Sequence, residues 1–138
     1  MNREIKFRGQ DNSGKWYYGD LIHSERNFKK IVEILDWSTD DVKHEVKKET
    51  VGQSTGLQDK NGKDIYENDI ITAKGYSQES TFEKIITIVE WGSKSHGWSI
   101  KSPYIDRYTK KKKVKYYSLA NVIEVIGNMH DNPELLKQ

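Results

Sequence analysis

The chain has 138 residues and no cysteine, which excludes disulfide frameworks, thiolate metal sites and cysteine nucleophiles. Ile and Val number 22 against 8 Ala and Leu; β-branched side chains lose χ1 freedom in a helix and pack well on a pleated sheet, so the composition argues against a helical bundle and for a mainly β fold. Net charge is only +2 but is uneven: residues 33–69 hold ten acids against five bases, and residues 101–117 hold seven bases against Asp106 alone, a pattern that bears on partners rather than on fold.

Ile5 and Phe7 alternate with Lys6 and Arg8 as in a half-buried strand. Asp11-Asn12-Ser13-Gly14-Lys15 is turn chemistry, and Trp16 to Ile22 completes a hairpin. Residues 30–35 form a third strand, 37–45 read as loop, and 46–51 as a weakly alternating edge strand. Residues 55–63 are dense in turn formers, with Asn61-Gly62 suited to a two-residue hairpin turn with φ > 0 at both positions. Strands are expected at 70–73, 84–91, 97–101, 114–117 and 122–126, with loops at 74–82 and at the lysine run 110–113. Asn132 and Pro133 predict a capped helical turn at the C-terminal end. Short strands at this spacing imply one all-β domain over residues 1–138, a small barrel with an appended sheet or hairpin. Residues 1–6 lack the apolar stretch of a signal peptide, and the longest apolar clusters, Ile85-Ile86 and Ile88-Val89, are far short of a membrane span; a cytoplasmic setting with no membrane partner is the expectation.

Thr55-Gly56-Leu57-Gln58-Asp59-Lys60-Asn61-Gly62-Lys63-Asp64-Ile65-Tyr66-Glu67-Asn68-Asp69-Ile70 resembles the central motif of the YopX family, small proteins of bacteriophages and prophages. Ile5-Lys6-Phe7-Arg8 with Asp11 is similar to that family's opening strand, and Glu124-Val125-Ile126-Gly127-Asn128 with Asn132-Pro133-Glu134-Leu135-Leu136 to its closing segment. The resemblance covers almost the whole chain and implies a β-rich phage protein without an established enzymatic activity. Family members often carry Gly where this chain has Asn68; Gly and Asn enter the left-handed region most readily, so Asn68 is read as a turn position with φ > 0, alongside Gly56, Asn61 and Gly62. Members also often carry Ala-Trp where this chain has Gly9-Gln10, so no role for an aromatic is carried over there.

Asp59, Asp64, Glu67 and Asp69 lie close together in sequence, but Lys63 breaks a calcium-loop spacing, and alternating turn positions account for the acids. The four histidines, His23, His44, His96 and His130, have no metal-site spacing, and nucleophile-elbow and phosphate-loop motifs are missing, so no catalytic residue, metal or cofactor is assigned. The functional lead is the basic stretch, in which Lys101, Arg107 and the lysines of 110–115 interleave with Tyr104, Tyr108, Tyr116 and Tyr117. The residues assigned to it are Lys110, Lys111, Lys112, Lys113 and Lys115 with Tyr116 and Tyr117: cations neutralise phosphates and aromatic faces stack on bases. The plainer account is a lysine loop that keeps a hairpin soluble. Charge blocks of opposite sign, with many Tyr and Trp, point to homo-oligomers or to a phage or host protein partner. The function expected is a non-catalytic phage accessory protein acting as a protein-binding or assembly module; a basic-patch nucleic-acid binder in phage replication or regulation is the alternative, and an uncharacterised phage enzyme the third.

Overall fold

Among the described residues the chain forms eleven strands, built on alternating apolar residues, and three short 3-10 turns. A computed structural model describes residues 4–38, 42–76, 82–92 and 97–137. The strands are β1 (Phe7–Gln10), β2 (Trp16–Arg26), β3 (Lys29–Asp36), β4 (Val42–Val46), β5 (Gly52–Gln58), β6 (Asp64–Tyr66), β7 (Asp69–Tyr76), β8 (Phe82–Gly92), β9 (Gly97–Ile105), β10 (Lys112–Tyr117) and β11 (Val122–Asn128). The 3-10 turns are Lys48–Thr50, Leu119–Asn121 and Pro133–Leu136. The chain divides into two compact units, Met1–Gly56 and Leu57–Gln138.

In the first unit the strand order is β4-β3-β2-β1-β5, all antiparallel where registered; β5 crosses the unit boundary and the order continues to β6. Tyr17, Val32, Ile34 and Val46 form the core, with Phe7, Leu21 and Val51 packed against them. Every second residue faces inward, as the pleat dictates. Gly19 has no room for a side chain: a Cβ there would lie 1.9 Å from the Leu35 carbonyl oxygen. At Gly9 a Cβ would come within 2.6 Å of the Val46 side chain, so any larger residue there needs Val46 to shift.

The second unit holds the five-stranded order β10-β9-β8-β7-β11. Ile65, Ile71, Ala73, Val89, Ile100 and Leu119 are its core, joined by Ile85, Trp98, Tyr117, Val122 and Val125. The β7–β11 ladder shifts register twice, between Val122 and Glu124 and between Val125 and Gly127. Such bulges bend a strand and increase its twist.

The all-β expectation holds, but among the described residues the ladders end at β4 and β6 and at β10 and β11, and no sheet closes into a barrel. Residues 42–45, read as loop, belong to strand β4: Val42, His44 and Val46 share one face, on which Val46 joins the first core and His44 stacks on Tyr17, and His44 hides the alternation by being polar. Val46 is in fact where β4 ends, and 48–50 form a 3-10 turn rather than an edge strand. Residues 52–58, read largely as turn, are β5, because Gly52 and Gln53 pair with Arg8 and Phe7 and Ser54 N–H donates to the Lys6 carbonyl at 2.7 Å. The loop expected at 74–82 is shorter, since Lys74, Gly75 and Tyr76 continue the ladder opposite Lys84, Glu83 and Phe82; residues 77–81 lie outside the described ones. Pro133 opens the final 3-10 turn as expected, but Asn132 does not cap it: its Oδ1 accepts instead from Asn128 N–H at 3.2 Å. No described helix is long and apolar enough to cross a membrane.

Candidate functional site

The β9–β10 hairpin is organised by Asp106. Its Oδ1 accepts from the N–H groups of Tyr108 and Thr109, both at 2.9 Å, and its Oδ2 from Lys113 Nζ at 3.1 Å. Backbone bonds from Asp106 N–H to the Lys111 carbonyl and from Lys110 N–H to the Asp106 carbonyl close the loop. Lys110 sits at φ 60, the left-handed position that reverses the chain. The Thr109 N–H, Lys113 and the Tyr108 N–H together hold the Asp106 carboxyl down at about 2, so it is an anion at any physiological pH.

Strand alternation then divides the basic run. Lys113, Lys115 and Tyr117 point to the inner side: Lys113 is bound to Asp106, Lys115 Nζ lies 4.9 Å from the centre of the Tyr104 ring, and Tyr117 packs on the second core. Lys112, Val114 and Tyr116 point outward, where Tyr116 is 41% exposed and stands opposite Lys101. Lys101 is itself 3.6 Å from Glu90. At the tip Arg107, Lys110 and Lys111 are exposed around Tyr108, which is 86% exposed. Among the described residues Arg107, Lys110, Lys111 and Lys112 have no carboxylate partner. Tyr104, Asp106, Arg107, Tyr108 and Lys115 line a shallow depression here. Of the seven residues assigned to the basic site from sequence, then, Lys110, Lys111, Lys112 and Tyr116 are presented to solvent; Lys113 is exposed but paired with Asp106, Lys115 lies over Tyr104, and Tyr117 packs on the second core. Arg107 and Tyr108 stood outside that set because they precede the lysine run and carry no motif; the reversal at 106–111 brings them to the tip.

The turn motif is structural in its geometry. Gly56, Gly62 and Asn68 have φ of 82, 79 and 70. Asn61 does not, which corrects the two-residue turn: the loop has three residues, with Asp59 N–H bonded to the Lys63 carbonyl and Gly62 alone in the left-handed region. Asp59 accepts from Asn61 N–H and Lys63 N–H on Oδ1 and from Val125 N–H on Oδ2, all at 2.9–3.0 Å. Burial opposes its charge, but the N–H groups of Val125, Lys63 and Asn61 outweigh that and hold its carboxyl below the ordinary value. Asp11 does the same in the β1–β2 hairpin, receiving Ser13 N–H, Ser13 Oγ–H and Lys15 N–H. Asp69, 1% exposed, accepts from Tyr66 N–H at 2.7 Å. Asn68 uses both backbone groups, its N–H to the Val89 carbonyl and its carbonyl to Met129 N–H. Asp59 and Asp69 accept here from backbone donors, and Asp11 from backbone N–H groups and the hydroxyls of Ser13 and Tyr17. Among the described residues no three His, Cys, Asp or Glu side chains converge as metal ligands. His44 lies flat against Tyr17, ring centres 3.8 Å apart; His96 lies outside the described residues.

No curated protein matches the chain. The family model described as YopX protein matches residues 6–137, nearly the full length and both compact units. The opening strand, the Asp59–Asn68 turns and the closing segment all fall within that match, and the chain belongs to the YopX family.

Proposed function

We propose that this is a non-catalytic phage accessory protein of the host cytoplasm, a binding module whose working surface is the β9–β10 hairpin and whose ligand is single-stranded nucleic acid. One observation carries the reading: Arg107, Lys110, Lys111 and Lys112 have no internal carboxylate partner among the described residues and lie at the hairpin tip with the exposed ring of Tyr108, while Tyr116 is exposed farther along the outer face of β10, opposite Lys101. Cations track a phosphate backbone while sequence-tolerant stacking holds the bases. The reading as a non-enzyme is supported by the hairpin aspartates, whose oxygens are occupied by backbone and side-chain donors within their own turns or the fold and whose low pKa makes them poor general acids or bases near neutrality.

Fluorescence anisotropy with labelled oligo-dT and oligo-U tests it. Affinity falls steeply with salt, and replacing Arg107, Lys110, Lys111 and Lys112 by serine flattens the slope by about 0.7 for each phosphate no longer neutralised. Lys113→Ser has a smaller effect, because Lys113 is already neutralised by Asp106. Absence of saturable binding at low salt overturns the reading.

A second reading, as a protein-binding or assembly module, is favoured by β10 itself. It is an edge strand whose outer face carries Val114 and Tyr116 beside Ile105, all exposed, and a partner strand added there would cover them. The serine variant would keep such a partner and lose nucleic acid.

A further inference from the structure

Of the chain's asparagines only Asn61 is followed by glycine. The pair lies exposed in the loop between β5 and β6, and a Cβ built on Gly62 would meet nothing within 4 Å. Asparagine is chemically labile, most of all where the next residue has no side chain to shield its backbone nitrogen. The same loop latches an edge strand. Lys60 N–H donates to the Ile123 carbonyl at 3.1 Å, and Val125 N–H donates to Asp59 Oδ2 at 2.9 Å. Between them Asn61 Nδ2 and Lys60 Nζ lie 3.5 and 4.0 Å from Glu124 Oε2. Residues 59–61 thus hold residues 123–125 of β11, whose ladder to β7 shifts register twice.

We infer that Asn61 is a deamidation site of this protein and that its conversion unlatches β11. The Gly62 nitrogen loses its proton to solvent base and attacks Asn61 Cγ. The N–Cγ bond forms, the Cγ–Nδ2 bond breaks, and Nδ2 leaves as ammonia. One water then opens the cyclic imide. Cleavage at Cγ gives aspartate; cleavage at the main-chain carbonyl carbon gives isoaspartate, in which the chain runs through Cβ and Cγ.

The fold gates the first step. Gly62 N–H donates to the Asp59 carbonyl at 3.0 Å, and Asn61 N–H donates to Asp59 Oδ1 at 2.9 Å, so the nucleophile is occupied until the loop opens. Either product puts a carboxylate where the Asn61 amide met Glu124, and like charges that close repel. Isoaspartate also lengthens a loop whose ends, Asp59 N–H and the Lys63 carbonyl, are bonded at 2.9 Å. Both effects withdraw the loop from β11. The inference is independent of the β9–β10 reading, because β10 and β11 are opposite edges of the five-stranded sheet.

Mass spectrometry on the full chain held at mildly alkaline pH tests it, with fragmentation of the peptide Thr50–Glu67, released by a Glu-specific protease, locating the change. Asn61 converts ahead of every other asparagine, to aspartate and isoaspartate together, about tenfold more slowly than in the free peptide Thr55–Lys63. In the converted protein the amides of Lys60 and Val125 exchange with solvent about tenfold faster. Asn61→Asp lowers the melting temperature, and adding Glu124→Gln recovers most of the loss. Conversion at another asparagine first, an Asn61 intact through ~100 half-lives of the peptide, or equal rates in the folded chain and the peptide overturns the inference. So does unchanged exchange at Lys60 and Val125 after conversion, or an Asn61→Asp loss that Glu124→Gln leaves untouched.

Discussion

At Asn68 a single backbone angle separates two substitutions. With φ 70, Asn68→Gly is neutral or mildly stabilising, whereas Asn68→Val forces a β-branched residue into the left-handed region and costs about 1–2 kcal/mol. Thermal melts of the two variants check this, and equal midpoints would contradict the assigned turn. Lys110, at φ 60 with its side chain in water, follows the same logic: Lys110→Gly raises stability by up to about 1 kcal/mol while removing one tip cation. The aspartates give a pH signature. Asp11 is held at about 2, first by the Ser13 hydroxyl, and Asp106 at about 2, first by the Thr109 N–H, both below the ordinary 3.8. A depressed carboxyl contributes stability that is complete above the unfolded value and disappears as pH falls through the folded one. Melting temperature therefore falls as the pH is lowered from about 5 to about 2. Asp106→Asn keeps an acceptor oxygen but loses the charge, and flattens part of that slope.

At the scale of the element, β10 separates packing from recognition within two adjacent tyrosines. Tyr117 packs against the second core and Tyr116 faces out opposite Lys101. Tyr117→Ala destabilises the fold by about 2–4 kcal/mol, the cost of an emptied aromatic site. Tyr116→Ala changes stability by less than about 0.5 kcal/mol and instead weakens oligo-dT binding by about 1–3 kcal/mol. Denaturant melts and anisotropy on both variants read the two effects separately; a reversed pattern would place the wrong ring on the outer face. In the first unit β2 tolerates no side chain at position 19: Gly19→Ala meets the Leu35 carbonyl, which cannot move without breaking the β2–β3 ladder, and the variant unfolds well below the wild type.

Across the whole molecule the apolar side chains form two clusters, one around Ile34 and one around Ile71, both fully buried. Each truncation to Ala costs about 2–5 kcal/mol. Because the clusters share no member, the double variant sums the single costs to within about 0.5 kcal/mol, measured by denaturant titration. The cations are likewise unevenly divided: the first unit is neutral and the second carries the hairpin with the exposed basic tip. Salt-dependent binding therefore follows substitutions at the tip and is insensitive to Lys29 and Lys30.

Composition and alternation were enough to establish an all-β chain, most of its strands, the Asp-headed turns and the family motifs, because these depend on contacts a few residues apart. Where a strand exists only through a distant partner, local reading failed. Residues 52–58 have turn-forming composition yet become β5 by pairing with Arg8 and Phe7, and 42–46 conceal their alternation behind His44, which is ordered by the ring of Tyr17. Open sheets in place of a barrel follow from which strands find partners, a matter of long-range register. The basic stretch was legible as charge, but its division was not. One face of β10 is consumed by Asp106, Tyr104 and the core, and only the three-dimensional reversal at Lys110 sets Arg107 and Tyr108 beside the lysines that remain exposed. Phe28 illustrates the same division: the sequence displays a phenylalanine between polar neighbours, and only the backbone, with φ 64 and a bare ring, reveals that the fold makes no use of it.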